Sequence, residues 1–154
     1  MQMPKPSEEH RRLQVLVGNW SGEEKLSPSP WGPGGLARGR SSCRLDLDGF
    51  FVIQDYVEEK DGRETYRGHG IFGYDERAKE YCWYWIDSMG SMPAAPSRGR
   101  WEGDTLTFHS TSPQGQGRYV FRFEGQSKYH FRIENSFDGG KTFVTFVEGT
   151  YSKT

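Results

Sequence analysis

A chain of 154 residues has the length of one domain, enough to bury roughly two-thirds of the surface its unfolded form exposes. Its formal net charge of -1 argues against nucleic acid or an anionic membrane surface as a partner. Only 33% of residues are hydrophobic, yet 15% are aromatic and 20 are glycine, so burial rests on Phe, Tyr and Trp with Gly and Asp at turns, the composition of an all-β chain.

Residues 1–12 hold no apolar run of the signal-peptide kind, and no later segment is long and apolar enough to span a bilayer. The expected setting is soluble and cytoplasmic. Ser7, followed by Glu8 and Glu9, starts a helix expected over 7–17, since the hydroxyl can cap it and the acids oppose its dipole. Leu13, Leu16 and Val17 form its apolar stripe, and Gly18 ends it. From there the pattern switches to period two. About ten strands are expected, over 19–27, 37–47, 50–59, 63–74, 79–87, 97–102, 105–111, 117–124, 128–136 and 142–151. Asp48-Gly49, Asp61-Gly62, Gly103-Asp104, Gly125-Gln126 and Asp138-Gly139-Gly140 punctuate them as hairpin turns. Cys43 and Cys82 fall inside strands and are too few for a disulfide framework, so they read as small buried thiols. Tyr119, Phe121 and Phe123 alternate with Arg118 and Arg122, as expected of a sheet wet on one face. In an up-and-down order the short connections near 48, 76, 103 and 125 share one rim. The longer ones, 27–35, 88–96 and 112–116, share the other. Such asymmetry describes either a cup with a portal or a filled barrel with long loops.

The stretches Leu16-Val17-Gly18-Asn19-Trp20-Ser21-Gly22, Leu47 to Tyr56, Gly70 to Asp75 and Trp85 to Ser88 carry a likeness. On them the chain, from Leu16 to about Tyr151, resembles a bacterial family known as a domain of unknown function, itself similar to the calycins: lipocalins, fatty-acid-binding proteins and haem-binding nitrobindins. The resemblance implies a single up-and-down antiparallel β-barrel over 18–152, with Gly18 and Trp20 as its opening motif. Lipocalins usually pack an Arg over the motif Trp; here the last strand has none, and Lys153 is the only nearby cation. Nitrobindin-like haem sites use a late His, and no His follows His130. The resemblance therefore carries the fold and leaves the ligand open: no cofactor is predicted, and haem through one of the histidines stays open as an unsupported alternative.

The four histidines, His10, His69, His109 and His130, show no metal-ligand spacing, and His10 is expected on the wet side of the helix. Tyr81 to Asp87 is apolar on both faces, so a helix, a loop or a second copy is expected to cover its outside. Asp87 is either an acid/base or ligand-accepting group or, more simply, a cap on the following turn. Strand parity points Arg67, His69, Arg132 and Glu134 outward; inward, they would anchor a ligand. Ser136 to Phe143 follows the Asp-box pattern, S-x-D-x-G-x-T-aromatic, which folds a turn through side-chain bonds to loop backbone. No phosphate loop, nucleophile elbow or activated cysteine is present.

Three functions fit these residues. The first is binding of an apolar or aromatic small molecule, with Trp31, Met89 and Met92 at the mouth. Trp83, Trp85, Phe121 and Phe131 would then form the wall, with His69 and Asp87 as polar contacts. The second is a ligand-free module that forms a homodimer through the doubly apolar strand. The third is a small enzyme working through Asp87, His69 or His109; no catalytic residue is assigned.

Overall fold

The period-two pattern that begins at Gly18 becomes ten antiparallel strands in the computed structural model, which describes residues 1–30 and 32–154. They are β1 (Gly18–Leu26), β2 (Gly35–Asp46), β3 (Phe51–Lys60), β4 (Arg63–Asp75) and β5 (Glu80–Asp87). The second half supplies β6 (Ser97–Glu102), β7 (Thr105–Ser112), β8 (Gly115–Glu124), β9 (Lys128–Ser136) and β10 (Val144–Lys153). Each pairs with its sequence neighbours, and β1 closes the barrel on β10. The up-and-down order follows from the hairpin turns, which leave each strand no option but to lie beside the last.

The helix is shorter than its apolar stripe implies. One α-helical turn, α1 (Glu8–Arg12), tightens into a 3-10 turn over Leu13–Leu16. Both end leucines are buried, so the segment seals one end of the barrel. The Tyr81 hydroxyl donates to the Glu9 carbonyl at 2.7 Å, and the Arg12 guanidinium lies 4.4 Å from the Trp101 ring centre. His10 is not on a wet face. It is buried edge-on against Phe50 and Tyr74, with Nδ1 accepting from the Ser7 amide at 3.0 Å. Packing against the sealed end turned the helix a different way from the one its charges suggested.

Trp20 locks this seal to the wall, its Nε1 donating to the Leu16 carbonyl at 2.8 Å. Lys153 fills the place of the Arg found in lipocalins, with Nζ 5.2 Å from the Trp20 ring centre. Gly18 permits this: its φ of +137° suits glycine, and a Cβ there would lie 2.9 Å from Lys153 Cε. Above the seal the barrel is solid, packed with Val52, Phe72, Leu106, Phe108, Phe121, Phe123 and Tyr129.

Outside, β5 is uncovered among the described residues. Tyr84 and Ile86, both 46% exposed, stand on its outer face, with Ile71 of β4 opposite Tyr84. Among the described residues, neither the helix nor a loop supplies the cover expected over this strand. β5 and β6 pair only from Tyr81 to Trp83, so residues 84–87 have no ladder partner on that side among the described residues. Also among them, no helix is long and apolar enough to cross a membrane.

Candidate functional site

Toward the rim carrying 27–34, 61–62, 88–96, 113–114 and 137–143, the interior opens into a cavity of about 700 Å³. Alternation sets what faces it. On β3, Val52 belongs to the solid core, and Gln54, Tyr56, Glu58 and Lys60 climb the wall above it to the mouth. On β5, Trp83, Trp85 and Asp87 do the same beside two glycines of β4. A Cβ on Gly68 would sit 2.1 Å from the Trp85 ring. One on Gly70 would sit 2.4 Å from Gln54 Oε1 and 2.6 Å from Trp83 Nε1. The missing side chains thus make room for both indoles to lie across β4. Phe121, Phe131, Tyr119 and Ile133 complete the opposite wall.

Polar groups interrupt the aromatic lining at three levels. Deepest, Gln54 Nε2 donates to Ser41 Oγ at 3.1 Å, and Ser41 lies 3.6 Å from Cys43 Sγ. Burial pushes the Cys43 thiol up to about 11, which makes it a poor nucleophile at neutral pH. Gln54 Oε1 and Trp83 Nε1 are buried with no hydrogen-bond partner. Higher, Glu24, 2% exposed, accepts from the Tyr56 hydroxyl at 2.6 Å and from the Tyr151 hydroxyl. Burial pushes its carboxyl up to about 8; the Tyr56 hydrogen bond opposes that, and the charge of neighbouring Glu58 reinforces it. Burial likewise raises the Tyr56 and Tyr66 hydroxyls far above the ordinary phenol range. Near the mouth, Asp87 Oδ2 accepts from Tyr66 at 2.6 Å and Trp85 Nε1 at 2.9 Å, while Oδ1 accepts from the Met89 amide at 3.0 Å. Asp87 therefore caps the turn and ties β4 to β5, with both oxygens already engaged.

Of the residues expected here, Trp83, Trp85, Asp87, Phe121 and Phe131 line the cavity, and Met89 stands at its mouth. Met92 does not; it is 86% exposed. His69 is also corrected: it lies on the outer face, bonded through Nδ1 to Asp55 at 2.7 Å, because its strand turns Gly68 and Gly70 inward. Trp31 falls outside the described residues. His109 is exposed, and His130 bonds Thr150 and Glu124 on the outer wall. With His10 beneath the seal, no histidine lines the cavity, so a histidine-ligated haem does not fit it. Among the described residues no group of three His, Cys, Asp or Glu side chains could hold a metal ion. Glu24, Gln54, Tyr56, Glu58, Tyr66 and Tyr151 also line the cavity, and pattern reading passed over them. Parity would have found Glu24, which shares the inward face of Trp20 four residues on.

The same architecture recurs in solved structures. Rv2717c from M. tuberculosis is similar with a TM-score of 0.72 at 11% identity, over 96% of this chain and 98% of that one. The S-type phycobiliprotein lyase CPES from Guillardia theta is similar with a TM-score of 0.64 at 10% identity, over 96% and 93%. No curated protein matches the sequence. The calycin-like barrel named from the residues is thus the fold of the chain, and the model of the family described as "Protein of unknown function (DUF1579)" matches residues 5–153, so the chain belongs to that family.

Proposed function

We propose that the chain acts as one barrel domain that binds an apolar or aromatic small molecule in the upper half of its interior. The cavity carries this reading: about 700 Å³, open at one rim, walled by Trp83, Trp85, Phe121 and Phe131, with polar groups set among them. That size and lining suit a ligand of some tens of atoms, since small-molecule sites run from roughly 300 to 1,000 Å³. The two unpaired thiols fit a soluble protein of a reducing compartment such as the cytoplasm. Acid/base work finds less support, because Asp87 is engaged and His69 and His109 stand away from the cavity.

Native mass spectrometry of the protein from its own host tests the proposal, together with titration of the apolar dye 1-anilinonaphthalene-8-sulfonate. The expected result is a mass above the 17.7 kDa chain that vanishes on denaturation, or saturable dye binding. Ile133→Trp, which fills the upper cavity, should abolish either signal while the far-UV spectrum stays the same. A bare chain that takes up no dye overturns the reading.

The exposed Ile71, Tyr84 and Ile86 beside the unpaired stretch of β5 support a second reading, a homodimer through this face. Light scattering at micromolar concentration should give twice the chain mass, reduced to one chain by Tyr84→Asp. A monomer in the unaltered protein refutes it.

A further inference from the structure

The two ends of the barrel differ in charge. At the sealed end every connection is charged, through Asp46 and Asp48, Asp75 to Glu80, Glu102 and Asp104, and Glu124 and Lys128. At the open end, 27–37, 88–97 and 110–117 hold no Asp, Glu, Lys or Arg, although 27% of the chain is charged. The other two connections there carry both signs: Lys60, Asp61 and Arg63 in one, Asp138 and Lys141 in the other. Apolar side chains protrude from this near-neutral rim. Apart from Met1 and Met3, Met92 and Phe137, at 86% and 78%, are the most exposed large apolar residues among those described. Met89, on the same loop as Met92, is exposed as well and lines the mouth. The Phe137 ring is presented by its turn rather than left loose. Its two neighbours, Ser136 and Asp138, bond to each other and to Gly140 and Thr142.

We infer that this rim docks on a lipid bilayer with net-neutral headgroups, Met92 and Phe137 entering the boundary between headgroups and acyl chains. The hairpins bearing them, β5–β6 and β9–β10, are separated around the barrel by β7 and β8 on one side and by β1 to β4 on the other. The mouth of the cavity lies between. A protein partner would have to match two tips set apart across a hollow, whereas a fluid bilayer needs no matched shape. The net charge of -1 offers no pull toward anionic lipid, so the affinity rests on apolar burial. Lys60, Arg63 and Lys141 have stems long enough to keep their charges among the headgroups. With so few apolar tips the docking is weak and reversible, since even one acyl chain holds a protein only marginally. An apolar ligand then passes between bilayer and cavity without crossing water. That consequence rests on the cavity being a ligand site; the docking itself does not.

Sedimentation with sucrose-loaded vesicles of pure phosphatidylcholine, at millimolar lipid, tests this. The protein should pellet with the vesicles. Met92→Asp and Phe137→Asp should each lower its partition coefficient about tenfold or more, the scale of one large apolar side chain. Both residues are exposed, so the variants should keep the far-UV spectrum and the melt of the unaltered protein. Leu47→Asp removes an exposed apolar residue at the sealed end and should change nothing. Added salt should leave the binding as it was. No pelleting at millimolar lipid overturns the docking, and so does pelleting that Leu47→Asp lowers as much as the rim variants do. Pelleting that requires phosphatidylglycerol and falls with salt overturns its apolar basis. A dimer that Met92→Asp or Phe137→Asp breaks, in a protein that ignores vesicles, gives the rim to a second copy and overturns the bilayer as partner. A protein that pellets yet takes up no dye keeps the docking and loses the cavity reading.

Discussion

Glu24 places an ionisable carboxyl where it is almost wholly buried, and the cost shows up as a dependence of stability on pH. Its folded pKa is raised above the unfolded value, so the neutral acid is the form the fold prefers. Its contribution is fully present below about 4.5 and is lost as pH rises through about 8, the reverse of a salt-bridged carboxylate. Glu24→Gln keeps an acceptor for Tyr56 and Tyr151 but cannot ionise. Denaturant melts from pH 5 to 9 should show a falling trend in the unaltered protein, on the order of a few kcal/mol at most, that the variant lacks. Gly70 is the matching geometric constraint. A Cβ there meets Gln54 Oε1 and Trp83 Nε1, and the Trp83 ring is stacked on Phe72 at 5.2 Å and cannot slide away freely. Gly70→Ala should cost about 1–3 kcal/mol, measured by chemical denaturation, as overpacking does. Little of this was legible. A Glu four residues past Trp20 looks like surface charge until the inward parity of Trp20 is carried along β1, and an acceptor in mid-barrel leaves no local signature.

At the level of elements, the turn between β9 and β10 shows what a short motif specifies. Asp138 accepts from Ser136 Oγ at 2.8 Å, from the Thr142 amide at 2.9 Å and from the Thr142 hydroxyl at 2.5 Å. Ser136 Oγ accepts from the Gly140 amide at 2.9 Å. These bonds, the Thr142 side chain's first, bring the Asp138 carboxyl down to about 2. A depressed pKa stabilises above the unfolded value near 3.8, and that contribution disappears as pH falls toward 2. Hydrogen-exchange protection of the Gly140 and Thr142 amides, measured against the unfolded rate at each pH, should therefore hold down to about pH 4 and fall below it, and Asp138→Ala should lower it at every pH. The motif was readable in the sequence, and so were the Asp-Gly hairpins, because each needs a residue type that few others replace. The start of β10 was less so: pattern alone puts it at 142, whereas Thr142 is spent in the turn and the strand begins at Val144. The helix lost its last turn for a comparable reason. Leu13 and Leu16 must both reach down into the barrel, and the tighter 3-10 winding delivers them there.

For the whole molecule, one hydrophobic seal at the lower end carries the closure of the barrel. Trp20 joins β1 to the helical plug through Leu16, to β10 through Lys153 and to β9 through an edge-on contact with Tyr129 at 4.8 Å. Trp20→Ala should cost about 3–5 kcal/mol in thermal or chemical melts, and Trp20→Phe less, the difference reporting mainly the lost Leu16 bond. The architecture was legible at this scale because strand number, turn spacing and the Gly-x-Trp opening all agree, whereas the hollow was not. Whether aromatic residues fill a barrel or line it depends on the glycines opposite them, and Gly68 and Gly70 settle that only once β4 is set against β5. The short ladder between β5 and β6 has a mechanical consequence. Around the rest of the circumference, widening the upper wall means tearing rungs of main-chain hydrogen bonds. Beside residues 84–87 there are no ladder rungs to tear on that side among the described residues. The barrel is a sleeve slit for part of its length, and the slit is where the main-chain ladder offers least resistance to widening.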